Sequence, residues 1–341
     1  MRIHYATNYF SDGNAFGYSV HNAEARASLV RAGVVLDASA PVAFHVASPL
    51  VFRPVPGKKN VLYVAWETDR LPEDYAGRIR GADVLIVTAE FLRPVFQRAL
   101  PGRPVHVAHL GVRAERYPFA RRTLDRRRPF RFLWVGAPNA RKGFELLLHA
   151  WEYFARRADV ELYLKTTVTG RLQRVGNVVF DARRLPRAEL AALYAGAHAF
   201  VLPSFGEGFG LTLAEAMATG LPALFTDWSA LAEVANAACG YPLPYEMIET
   251  PLGRMAQCDL AALVVGMERV RREYGKALRK GRRASERIRR VFTWDRAAER
   301  ILDALRAEGL FEAPPVSGRE TGARGVPPPR PRRRAAAPAL A

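Results

Sequence analysis

The stretch Phe200-Val201-Leu202-Pro203-Ser204-Phe205-Gly206-Glu207-Gly208-Phe209-Gly210-Leu211-Thr212-Leu213-Ala214-Glu215-Ala216-Met217-Ala218 decides how this chain is read. An apolar run of strand character ends at Pro203, a loop with three glycines follows, and a helical segment opens near Gly210. Glycine there lets backbone N–H groups approach a ligand without obstruction from a Cβ, and a helix N-terminus favours negative charge. A diphosphate suits that environment. Glu207 falls in the loop and Glu215 about 1.5 turns inside the helix. Two carboxylates flanking a phosphate cradle can accept hydrogen bonds from hydroxyls at both ends of a sugar nucleotide. The plainer alternatives are a solvated helix face for Glu215 and a capping role for Glu207. Against the first, the helix is nearly all apolar, and a buried carboxylate without partners is costly.

A second stretch repeats the pattern: Phe132-Leu133-Trp134-Val135-Gly136-Ala137-Pro138-Asn139-Ala140-Arg141-Lys142-Gly143-Phe144. A departing nucleoside diphosphate gains charge in the transition state, so a positioned cation there lowers the barrier. Arg141 and Lys142 suit that task. Two cations at a helix start are otherwise unfavourable unless an anion intervenes.

Outward from these loops the chain alternates short apolar runs with helical segments. Runs that suit buried parallel strands are 61–65, 84–88, 105–110, 131–135, 160–165, 199–203 and 222–226. Helical spacing appears at 21–31, 91–100, 144–156, 187–196, 211–219, 260–274 and 294–307. The alternation predicts an α/β protein with parallel sheets, whose ligands sit beyond the carboxyl ends of the strands. The charged stretch 113–129 separates two Rossmann-like halves. The expected boundaries are 1–128 for the first domain, 129–295 for the second and 296–311 for a helix crossing back, with Thr293 as its N-cap. The segment 312–341, rich in Pro, Gly, Arg and Ala, reads as a disordered basic tail.

Glu207 through Glu215 resembles the E-x7-E motif of retaining glycosyltransferases of family 4, together with 200–204 before it and Ala218-Thr219-Gly220-Leu221-Pro222 after it. The resemblance implies a GT-B fold, two Rossmann-like domains facing a central cleft. It implies that Glu207 contacts the donor sugar, that Gly208, Phe209, Gly210 and Leu211 line the sugar and diphosphate site, and that Glu215 holds the ribose hydroxyls. Lys142 matches the family's diphosphate lysine. Ala137 stands where the family has an arginine, and Arg141 is the candidate replacement. Residues 11–19, with Gly17, resemble the family's first glycine loop over the donor phosphate. Where the family carries a histidine after an N-terminal strand, this chain has Trp66-Glu67-Thr68, so Glu67 becomes a candidate catalytic residue. Trp66 either stacks on a sugar ring or packs under a loop. His45 and His109 end apolar runs and read as structural. Lys165 is either a ribose or phosphate contact or a charged strand end.

Composition narrows the classes further. With 341 residues and 49% hydrophobic side chains the chain can build cores in about two domains. A net charge of +18, of which the tail supplies only +4, asks for an anionic partner. Cys239 and Cys258 provide neither a disulfide framework nor a metal spacing, and no Asp-x-Asp motif is present, so no metal or other cofactor is expected. No run approaches the roughly 20 apolar residues of a membrane span, and nothing at the N-terminus resembles a signal peptide. The expectation is a cytoplasmic enzyme, with peripheral contact at an anionic inner membrane face as an extension. The segment 90–100 reads as a sheet-covering helix, with membrane docking as its alternative, and the basic run 271–290 as a solvated face.

The expected activity is transfer of a sugar from a nucleotide-diphosphate sugar to a glycan or lipid-linked acceptor in polysaccharide or glycoconjugate synthesis. An epimerase or hydrolase of sugar nucleotides is the alternative. A nucleic-acid binder driven by charge ranks last, because no reading motif accompanies the charge.

Overall fold

The computed structural model describes residues 1–6, 16–125, 127–166, 168 and 170–311. The expected tail and residues 11–15 of the first glycine loop lie outside the described residues. In the first half, β1 (Arg2–Tyr5), β2 (Val35–Leu36), β3 (Val42–Val46), β4 (Lys59–Val64), β5 (Val84–Val87) and β6 (Val105–Val107) form a parallel sheet in the order β2-β1-β3-β4-β5-β6. Every position of β3 and β5 is buried, as expected of parallel strands covered on both faces. Helix α1 (Phe16–Arg31) packs near β3, while α2 (Glu73–Arg78) and α3 (Leu92–Ala99) carry Ala76, Leu92, Val95 and Phe96 into a core shared with β4 and β5. The amphipathic segment around α3 is therefore a sheet cover.

The second half forms a seven-stranded sheet from β7 (Phe130–Gly136), β8 (Val160–Thr166), β9 (Leu172–Val175), β10 (Val178–Asp181), β11 (Ala199–Leu202), β12 (Ala223–Thr226) and β13 (Tyr241–Leu243). Its order is β13-β12-β11-β7-β8-β10-β9, and only the β9–β10 edge pair is antiparallel. Helices α4 (Phe144–Glu152), α5 (Arg187–Gly196), α6 (Leu211–Ala218) and α7 (Ser229–Val234) follow its strands. The C-terminal ends of β7 and β11 are adjacent, so the two loops singled out in the sequence become neighbours.

Two features depart from the sequence reading. The segment expected as one helix over 260–274 with a solvated basic run beyond it is two helices, α8 (Leu260–Arg272) and α9 (Tyr274–Val291). Helix α9 buries Tyr274, Ala277, Gly281, Ala284, Ser285 and Ile288, mostly small residues that give no hydrophobic signal. They are small because backbone approaches closely: a Cβ on Gly281 would stand 2.1 Å from the Gly220 carbonyl oxygen. Part of its basic face is engaged. Arg287 donates to the Val234 and Glu233 carbonyls at 2.9 and 2.7 Å, and Arg289 to those of Tyr117 and Ala218 at 2.9 and 3.2 Å. These cations stand at the C-terminal ends of α7 and α6, where free carbonyls favour them. The second departure is an antiparallel hairpin, β14 (Tyr245–Thr250) with β15 (Gly253–Cys258), whose first strand is too polar and exposed to read as buried.

The connection 113–129 contains no helix or strand among its described residues, yet it is anchored. Arg122 reaches the carbonyls of Tyr194, Ala197 and Thr219 at 3.0, 3.0 and 2.8 Å, where α5 and α6 end. Helix α10 (Trp294–Ala307), capped by Thr293 accepting from the Arg296 N–H at 3.2 Å, returns to pack on α1, with Arg31 and Asp295 2.7 Å apart. Met1–Phe311 form one compact unit, and one apolar core runs from Ile3 through Phe209 and Met217 to Leu305.

The return of α10 depends on Gly111, whose missing Cβ leaves room for the Thr293–Trp294 peptide. A Cβ there would stand 2.2 Å from both Thr293 C and Trp294 N. Gly111→Ala forces backbone apart and should cost about 2 kcal/mol, measured as a lower urea midpoint at unchanged denaturant slope.

Candidate active site

The β7 loop turns on Asn139 and Gly143. The Asn139 side chain accepts from the Lys142 N–H at 3.0 Å and closes a single 3-10 turn, Ala140–Lys142. Gly143 has φ +63, and a Cβ on it would lie 2.0 Å from the Pro203 carbonyl oxygen. Only glycine allows both the left-handed backbone and that approach. The two loops then interlock. Phe205 N donates to the Arg141 carbonyl at 2.7 Å, Ser204 Oγ lies 3.0 Å from the same oxygen, and Arg141 Nη1 donates to the Gly206 carbonyl at 2.6 Å.

Inside this junction the Glu207 carboxylate is buried among donors. Lys142 Nζ lies 2.6 Å from Oε1, Ser204 Oγ donates to the same oxygen at 2.7 Å, and Arg141 Nη1 is 3.6 Å from Oε2. Burial penalises the Glu207 carboxylate, but the charges of Lys142 and Arg141 and the two hydrogen bonds outweigh it, and the carboxyl is held below its ordinary range. Burial, with Arg141 beside it, moves the Lys142 ammonium down, against the opposing pull of Glu207. For Arg141 burial is outweighed by Glu207 and Glu67, and the guanidinium is held more firmly charged. The Glu207 N–H donates to Ser229 Oγ at 3.1 Å.

Glu67, half-buried after β4, acts electrostatically on both Arg141 and Lys142. Its carbonyl oxygen would be 2.2 Å from a Cβ on Gly206. A Cβ on Gly208 would meet Ala65 Cβ at 2.7 Å, and Thr88 Oγ1 donates to the Gly208 carbonyl at 2.6 Å. Glycines 206 and 208 therefore let the first half of the chain abut the loop, a use of glycine that differs from ligand approach. Gly210, at φ +90, leads into α6. The backbone N–H groups of Gly208, Phe209 and Gly210 make no hydrogen bond to another described residue. Phe209 packs its buried ring on Phe292, with centroids 5.8 Å apart.

Glu215 sits apart from Glu207, at a small cavity it shares with Leu211, Tyr117, Arg113, Arg116, Arg187, Glu24 and Trp294. The Tyr194 hydroxyl donates to it at 3.0 Å. Burial pushes its carboxyl up to about 7, against the tyrosine hydrogen bonds and Arg187. Buried Glu24 of α1 gathers Arg113, Arg116 and Arg187 around one carboxylate. Neither the tyrosines nor this cluster carries a local sequence signal, because each joins positions far apart in the chain.

Other sequence candidates fall elsewhere. Gly17 lies exposed in the first turn of α1, with open space where a Cβ would be. Trp66 packs on Tyr75 and donates to Thr68 Oγ1 and the Arg70 carbonyl at 2.7 and 2.8 Å, which is the loop-packing role. Lys165 donates to the carbonyls of Thr166, Asp181 and Arg183, a strand-end role. His45 pairs with Asn60, and His109 bridges Glu233 and Arg300. A larger cavity of about 490 Å³ lies over β1 and β3 and shares no lining residue with the Glu207 junction. Convergent charge, the mark of a candidate site, gathers at the junction and not at this cavity.

Glu215 yields a pH test. Its folded-state value lies above that of the unfolded chain, so the folded state holds the extra proton between about pH 4.5 and 7 and loses stability as pH rises through that window. Urea unfolding at pH 5 and pH 8 should show Glu215→Gln gaining about 2 kcal/mol on the wild type at the higher pH. An equal difference at both pH values contradicts the assignment.

Residues 129–250 match the family described as glycosyl transferases group 1. MMP alpha-(1->4)-mannosyltransferase of Mycolicibacterium hassiacum is 34% identical over 127 residues, 33% of this chain and 31% of that protein. Glycogen synthase of Mycobacterium tuberculosis is 29% identical over 237 residues, 64% of this chain and 53% of that protein. The chain thus spans about a third to a half of the length of these curated relatives. Among solved structures, Anabaena Alr3699/HepE in complex with UDP and glucose superposes with a TM-score of 0.68 at 13% identity, covering 90% of this chain and all of that one. Sucrose-phosphate synthase of Thermosynechococcus elongatus gives 0.60 at 19% identity over 88% and 80% of the two chains. The fold is therefore GT-B, and within it residues 129–250 are similar to the group 1 glycosyl transferases.

Proposed function

We propose that this protein is a retaining glycosyltransferase of family 4 that moves a sugar from a nucleotide-diphosphate sugar to a glycan or lipid-linked acceptor. The observation that carries the reading is the buried junction of Glu207 with Lys142 and Arg141 at the adjoining ends of β7 and β11. Two cations beside loop amides that have no partner among the described residues suit a diphosphate, and a carboxylate among them suits a sugar hydroxyl. The group 1 match over 129–250 and the relatives that act as sugar transferases support the same reading.

In this reading the diphosphate settles against the N–H groups of Gly208, Phe209, Gly210 and Leu211 and takes Lys142 as its main counter-charge, with Arg141 second. Glu207 then turns from Lys142 toward the donor sugar. Lys142 stabilises the charge that builds on the leaving diphosphate. Glu67, where the family has histidine, faces the reacting sugar from the first domain, residues 1–128, which holds the acceptor. Glu215 accepts from the ribose hydroxyls in the second domain, 129–295, and 296–311 crosses back. Gly17, in the first turn of α1, follows the segment 11–15 taken here as the loop over the donor. The donor is a substrate, and the reaction needs neither metal nor other cofactor. The setting is the cytoplasm, with the acceptor presented at an anionic inner membrane face. The second reading, hydrolysis or epimerisation of the donor, draws on the absent histidine at Glu67.

Release of nucleoside diphosphate from UDP-, GDP- and ADP-sugars, with and without glycan acceptors, tests the proposal. Transfer that requires acceptor supports it, and equal turnover without acceptor selects the second reading. Glu207→Ala and Lys142→Ala should each lower kcat about 100-fold or more, while circular dichroism shows the fold retained. Near wild-type turnover by Glu207→Ala would falsify its role. Glu215→Ala should act mainly on KM for the donor, and EDTA should leave the rate unchanged.

A further inference from the structure

Ser229 is the non-glycine residue with positive φ, +56, among the described residues. An L-residue holds that left-handed conformation at an energetic cost and keeps it only where its surroundings enforce it. It opens α7 after the extended Trp228, and its side chain is buried. Ser229 Oγ accepts from the Glu207 N–H at 3.1 Å, while the Ala230 N–H approaches the Glu207 carbonyl at 3.4 Å. The turn at 229–230 thus holds both peptide groups of Glu207. Ser204 holds the other end, donating to the carboxylate itself. A glycine at 229 would adopt the same backbone without strain. It would lack the hydroxyl, and the buried Glu207 N–H would lose its acceptor.

We propose that Ser229 is a positioning residue: its strained backbone presents a hydroxyl that fixes the Glu207 peptide and so aims the Glu207 carboxylate. The inference rests on the role proposed above for Glu207. The strain is retained because the turn that relieves it gives up the acceptor.

Ser229→Gly and Ser229→Ala separate the two effects, since both remove the hydroxyl and only the first removes the strain. Amide hydrogen exchange of the peptide spanning 205–209, read by mass spectrometry, should be faster in both variants at equal global stability. Unchanged protection in both variants overturns the proposal without any need of substrate. With UDP-glucose, GDP-mannose and ADP-glucose as donor probes, kcat for whichever donor the wild type uses should fall about tenfold in both variants, with KM changed less than twofold. If both variants keep wild-type kcat, the hydroxyl has no positioning role and the proposal falls. Adding Ser229→Ala to Glu207→Gln should lower the remaining rate less than twofold, because the serine acts through the glutamate. A further tenfold loss in that background overturns the proposal. Should Glu207→Gln itself retain full turnover, the fault lies with the reading of Glu207, and the exchange result still decides what Ser229 holds.

Discussion

A carboxylate and an ammonium 2.6 Å apart, both withdrawn from water, set the terms for the centre of this protein. Removing one partner from such a pair strands the other and costs about 3–5 kcal/mol, so the two loops that carry them must stay together. Gly143 on the Pro203 carbonyl and Arg141 on the Gly206 carbonyl fix that meeting through the backbone. Lys142 is thereby held in place, with Glu207 as its partner.

The glycines of the 206–210 loop show that one residue type answers two demands. Gly206 and Gly208 admit the backbone and Cβ of Ala65–Glu67 where a side chain of their own would stand. Gly210 supplies the positive φ from which α6 departs. Close approach of the first half is thus built into the same loop whose amides remain without a described partner. Thr88, donating to the Gly208 carbonyl, ties the contact from β5.

Further ties join the halves around this point. Thr68 donates to the Leu252 carbonyl, Asp69 pairs with Arg254 of the hairpin, and Glu233 of α7 accepts from the Glu90 and Phe91 N–H groups. All join residues more than 100 positions apart, and the Asp69–Arg254 and Glu233 contacts each comprise two or more hydrogen bonds. They add to the apolar core that runs from Ile3 through Phe209 and Met217 to Leu305.

The sequence by itself determined the alternation of strand and helix, the parallel sheets and the two glycine-bearing strand-end loops. Those features depend on local apolar runs and on turn chemistry, which neighbouring residues express directly. It also placed Glu207, Lys142 and Arg141 as candidates, because a charge beside glycine at a strand end is a local pattern. Helix α9 stayed illegible because its buried face is mostly Ala, Gly and Ser, with Gly281 set by backbone proximity rather than hydrophobicity. Trp66 and Lys165 could be read two ways until packing supplied Tyr75 and three carbonyls as their partners. Only the tertiary structure decided that Ser204 and Ser229 hold Glu207 and that Tyr194 stands over Glu215. It alone gathered three arginines on Glu24. Apart from the local Ser204 contact, these pairings join distant segments, which meet only in the folded chain and which no single segment encodes.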